Sequence, residues 1–146
     1  MIRALRFLGL LIAHTVVAII GPAIAEHAIW TLVPAHSVVG VLWKESILGA
    51  LCAACIGFGM WRTWRTSAAK WTWVLAAPWF VFGLLMKHGD VFGNLFPLHS
   101  GSVLATPDAR SFFVFTAPLI RTIFYSLGAH ISSVLVHGGV TRTQAG

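Results

Sequence analysis

Two uncharged runs, residues 46–61 and 71–86, flank a nine-residue basic stretch, 62–70, and this hairpin constrains the chain more than any other feature. Each run, wound as a helix with its interfacial flanks, is close to the length needed to cross ~30 Å of hydrocarbon. Trp61, Trp64, Trp71 and Trp73 stand beside Arg62, Arg65 and Lys70. Indoles favour headgroup depth and cations are drawn to an anionic leaflet, so the pattern predicts a helical hairpin with a cytoplasmic turn.

Composition agrees. Of 146 residues, 58% are hydrophobic and 10% charged, whereas a soluble domain carries about 25% charged residues. The net charge of +6 does not indicate a nucleic-acid face, because the cations sit at the ends of apolar runs. Two cysteines inside one apolar run cannot form a disulfide framework. With no repeat and no polar stretch long enough for a second unit, residues 1–146 read as a single transmembrane domain.

The expected fold is all-α: a polytopic four-transmembrane-helix bundle with helices near 5–25, 42–61, 71–88 and 112–136. Residues 1–25 also have the outline of a signal peptide, with Arg3 and Arg6 before an apolar centre and Ala23-Ile24-Ala25 before Glu26. The length of the run and the interruption at His14 favour a retained helix. Residues 27–40, with Pro34 and His36, read as an outer interfacial segment, and 87–110, rich in Gly and Pro, as an outer loop. Pro78 is expected to kink the third helix. His137-Gly138-Gly139 is expected to end the fourth.

Charge bias sets the orientation. Of the ten Lys and Arg, Arg3, Arg6, Arg62, Arg65, Lys70 and Arg142 fall on one side and Lys44, Lys87 and Arg110 on the other, with Arg121 inside a span. The positive-inside rule then puts both termini in the cytoplasm. The short loops and compact chain point to a bacterial plasma (inner) membrane. Glu26, Glu45, Asp90 and Asp108 all fall outside.

Arg121 is the most informative residue. A helix starting near 111 places it about 15 Å from the outer end, where a lone guanidinium costs from about 2.5 to above 10 kcal/mol. It needs a partner, and Glu45 at the outer start of the second helix is the first expectation, with Glu26 second. Thr122, Ser126, His130 and Ser133 share a helix face, with Tyr125 beside them. Such a face can line a solute pathway, or it can bond neighbouring helices, which is the commoner use.

Other residue patterns bear on function. His14 and His130 lie about 14 and 10 Å from the inner ends of their helices, similar depths at which two imidazoles bind haem axially. Cys52-Ala-Ala-Cys55 is similar in spacing to the thiol pair of vitamin K epoxide reductase and the quinone-coupled disulfide-generating membrane proteins. Those enzymes relay electrons through further cysteines, which this chain lacks, and the likeness ends at the spacing. Gly49, Ala53 and Gly57 follow a small-xxx-small pattern suited to close packing within the bundle or between copies in a homo-oligomer. No His, Cys, Asp and Glu spacing matches a metal-ligand pattern, so no metal is assigned. With every carboxylate at or beyond a helix end, nothing within a span would exchange proton for cation. Catalytic triads and phosphate loops are missing as well.

The sequence therefore reads as a small integral membrane protein without evident catalytic machinery, an accessory or assembly subunit partnered by the bilayer and other membrane subunits. The alternatives are a redox module, through haem at His14 and His130 or thiols at Cys52 and Cys55, and a small-solute pathway past Arg121.

Overall fold

The computed structural model describes residues 2–29, 38–86 and 112–143, and all the secondary structure among them is helical. Helix α1 is Ile2–Ile29, α2 is Val38–Trp64, α3 is Trp73–Met86 and α4 is Ala117–Thr143. A short 3-10 helix, Ser67–Trp71, leads into α3, and a π-helical turn, Phe112–Thr116, leads into α4. Three segments, Ile2–Glu26, Leu42–Trp64 and Val114–His137, are long and apolar enough to cross a membrane.

The sorting of side chains is that of a lipid-solvated bundle. Large apolar residues point outward, among them Ile12, Val16 and Ile20 on α1, Leu51 on α2, and Leu127, Ile131 and Leu135 on α4. The interior instead holds Ala18, Ala53 and Ala129 around Tyr125 and Trp61. Lipid tails are as apolar as leucine, so helices gain little by hiding leucine from them; they gain by close backbone approach and by polar bonds inside.

Pairwise contacts give the directions. Along α1 and α2 the pairs Glu26 with Gly49, Gly21 with Ile56 and His14 with Trp64 run in opposite numerical order, so these helices are antiparallel. Along α2 and α4 the pairs Gly49 with Arg121, Gly57 with Tyr125 and Trp61 with His137 rise together, so these are parallel. The pairs Thr72 with Thr122 and Trp79 with Val114 set α3 against α4. The start of α1 and the ends of α2 and α4 consequently gather at one end of the bundle.

The closest seam is α2 on α4. A methyl on Gly57 would overlap the Tyr125 carbonyl oxygen, and one on Gly128 would overlap that of Ala54. Only hydrogen at both positions lets the backbones meet. The Gly49, Ala53 and Gly57 stripe thus packs within its own chain.

Several boundaries differ from those read in the sequence. Helix α1 continues past residue 25 to Ile29, and α2 starts at Val38 and ends at Trp64, not at 42 and 61. Both ends of the expected interfacial segment are therefore helical; residues 30–37 lie outside the described residues, as do 87–111, which hold all of the expected outer loop. The third helix starts at Trp73 rather than 71, because residue 71 belongs to the 3-10 helix; its expected end at 88 lies outside the described residues. Gly138 and Gly139 do not stop α4, which runs to Thr143. Glycine permits a stop but does not impose one.

The basic stretch is also more structured than a turn at the membrane surface. Arg62 is still in the last turn of α2, where a cation favours the helix dipole. Arg65 then takes φ +48°, a left-handed conformation usually left to glycine, and its N–H donates to the Trp61 carbonyl at 2.8 Å. The Thr66 hydroxyl accepts from the Ala68 N–H at 3.0 Å and starts the 3-10 helix. That helix buries Ala68 and Ala69 completely.

Candidate functional site

Polar groups occupy the interior in two layers. The first is an ion pair: Arg121 Nη2 donates to Glu26 Oε2 at 2.7 Å, with side chains 10% and 4% exposed. Glu26, the second of the two partners expected from the sequence, is thus paired with Arg121, while the Glu45 side chain lies outside the described residues. The physical reason is the extra turn of α1, which carries Glu26 into the bundle rather than beyond its end. Glu26 thus lies within α1, contrary to the expectation that every carboxylate falls at or beyond a helix end. Gly49 makes the room, since a methyl there would overlap Glu26 Oε1 and stand 3.3 Å from Arg121 Nε. Glu26 Oε1 is buried and has no hydrogen-bond partner among the described residues.

The second layer is neutral. Tyr125, fully buried, has its hydroxyl hydrogen-bonded to His14 Nδ1 at 2.6 Å, and the His14 ring meets Trp64 edge-on at 5.4 Å between centroids. Thr72 donates to the Thr122 carbonyl at 2.9 Å, Ser126 donates to the Lys70 carbonyl, and Thr15 donates to Leu11 at 2.8 Å with a longer approach of 3.4 Å to the Thr72 carbonyl. Thr122 in turn donates to the Leu119 carbonyl at 2.9 Å. These bonds fasten the junction of the 3-10 helix and α3, where carbonyls leave one helical pattern before entering another. Of the face predicted by spacing, Thr122, Tyr125, Ser126 and Ser133 point inward but His130 is exposed, because it lies too far round the helix. The Tyr125 and Ser126 hydroxyls reach other segments, whereas that of Thr122 bonds within α4.

The entry of α4 has a similar repair. Pro118 in its first turn has no N–H to offer the Val114 carbonyl four residues earlier. Trp79 Nε1 donates to that carbonyl instead, at 2.9 Å. Beside it the Phe115 ring fills the space over Gly83, where a methyl would collide with it.

The two haem candidates stand apart in character. His14 is 1% exposed and engaged with Tyr125, whereas His130 is exposed. Five residues beyond Tyr125, it falls about 140° round α4 from the side that meets His14. Cys52 is half-buried and Cys55 exposed, both as free thiols. Among the described residues no group of three or more His, Cys, Asp or Glu could hold a metal ion.

Sequence reasoning passed over Thr15, Thr72 and Trp79. Single threonines inside apolar runs were the available signal for the first two. The indole bond to a carbonyl near a proline had none, because it joins residues 35 apart.

Comparison of the chain with protein-family models, with curated proteins and with solved structures finds no match to any of them.

Proposed function

We propose that the chain is a four-span protein of the bacterial plasma membrane, with both termini and the basic turn cytoplasmic, that acts without catalysis as an accessory or assembly subunit of a larger membrane complex. The observation that carries this reading is the use made of the polar interior. Glu26 bonds Arg121, Thr72 bonds Thr122, and Ser126 bonds the Lys70 carbonyl, each joining one helical segment to another. Arg121, Thr122, Tyr125 and Ser126 belong, on this reading, to packing rather than to a solute pathway. What the bundle offers a partner is its broad apolar exterior.

Native electrophoresis of membranes extracted in a mild detergent tests the proposal. The protein is expected in a band far above its own 15.8 kDa plus a micelle, together with a stoichiometric second protein. Migration as a lone monomer overturns the accessory role.

A further inference from the structure

At the end of the bundle where α1 begins and α2 finishes, an open cleft of about 540 Å³ is lined by Arg3, Arg6, Phe7, Leu10, Trp64 and Arg65. On α1 the spacing of residues 3, 6, 7 and 10 places them on one helix face. Facing them is the turn that closes α2, where Arg65 is held in its left-handed conformation at φ +48°. Thr66 and Ser67 complete the lining. No carboxylate is among the lining residues.

We infer that this cleft is a binding site for an anionic phosphate headgroup, and that the phosphate belongs to a phospholipid. Three guanidinium groups from two separate segments converge on one opening, and guanidinium forks match phosphate oxygens in pairs of charge-assisted hydrogen bonds. Ser67 adds a hydroxyl donor. Phe7, Leu10 and Trp64 supply an apolar wall along which the first carbons of an acyl chain lie, something free phosphate cannot use. The left-handed Arg65 fits the same picture: an arginine in place of the ordinary glycine costs the turn some stability and places a third cation at the opening. The site needs only that this end of the bundle meets a leaflet, and it is tested in detergent, where the accessory role and the orientation have no influence.

The experiment is a native mass-spectrometry titration of the full chain in non-ionic detergent with phosphatidylglycerol, with phosphatidylcholine and inorganic phosphate as separate arms. Phosphatidylglycerol is expected to bind with one-site saturation and phosphatidylcholine much more weakly. Each of Arg3→Gln, Arg6→Gln and Arg65→Gly should weaken phosphatidylglycerol about fivefold, and the triple variant on the order of a hundredfold. Arg62→Gln is the charge-matched control, since Arg62 lies over the Phe58 ring at 5.7 Å and outside the cleft. It should leave binding unchanged. Equal loss in Arg62→Gln, or equal binding of phosphatidylcholine, overturns the site. Displacement of the lipid by millimolar inorganic phosphate overturns its assignment to a lipid. The replaced arginines are exposed, and circular dichroism of each variant verifies that the helices are intact.

Discussion

The two polar layers of the bundle solve the same problem in opposite ways. In the layer of Glu26 and Arg121, two full charges are buried and one short contact of 2.7 Å joins them. In the layer of His14, Thr15, Thr72, Thr122, Tyr125 and Ser126, nothing need be charged, and the bonding is divided among several hydroxyls, most of them on backbone carbonyls. Contact between full charges concentrates its consequence, because removing either partner leaves the other in low dielectric without it. A set of neutral bonds spreads it, since each interhelical bond inside a membrane contributes ~0.6 kcal/mol. The first layer is therefore sensitive and the second tolerant.

The largest expected effect comes from breaking the charged layer. Arg121→Ala or Glu26→Ala should each cost about 3–5 kcal/mol, because the remaining charge stays buried. Reversible unfolding in mixed micelles measures this. The double variant Glu26→Gln with Arg121→Gln should lose much less than the sum of the two singles. Additive losses would show that the two side chains do not act as a pair.

Next are the glycines. Gly57→Ala and Gly128→Ala each place a methyl on a backbone carbonyl that cannot turn aside, which should cost about 1–3 kcal/mol as α2 and α4 separate. Gly59, two residues along, has nothing within 4 Å of a methyl placed there. Gly59→Ala should be neutral or stabilising by up to about 1 kcal/mol, the helix-propensity gain. Gly49→Ala separates the layers, because its methyl would meet the Glu26 carboxylate rather than backbone. Combined with Glu26→Gln and Arg121→Gln it should cost less than it does alone.

The neutral layer should respond more mildly. Tyr125→Phe removes the bond to His14 and Thr72→Val the bond to the Thr122 carbonyl, each costing about 0.6–1.7 kcal/mol in the same unfolding measurement. A loss as large as that for Arg121→Ala would erase the distinction between the layers. A last effect shares the stabilising sign of Gly59→Ala. Arg65→Gly relieves a left-handed arginine and should stabilise the chain by up to about 1 kcal/mol.

Much of this was legible in advance because it is local. The inward face of Thr122, Tyr125 and Ser126 follows from helical spacing, and the aromatic and basic punctuation of the hairpin follows from what an interface selects. That Glu26 reaches Arg121 was harder to see, for a nameable reason. Hydropathy ends α1 where polar residues begin, near 25, but a helix ends where its backbone bonds end, and α1 reaches Ile29 with Glu26 turned inward. The same limit applies to the basic stretch, where cations signal a surface turn while Ala68 and Ala69 between them are fully buried. A rule based on charge sees Arg62, Arg65 and Lys70 and not the small residues that the interior accepts.

The sequence by itself determined that the chain is helical and apolar enough for a membrane, because both depend on composition and period within one segment. Tertiary structure alone decided that Glu26 meets Arg121, which glycines let the backbones touch, and which hydroxyls carry the 3-10 helix. Those are choices among partners up to 111 residues apart, as between His14 and Tyr125, and no local pattern ranks them. The ranking comes from backbone approach: where Gly57 and Gly128 let α2 and α4 touch, the positions of every neighbouring side chain follow.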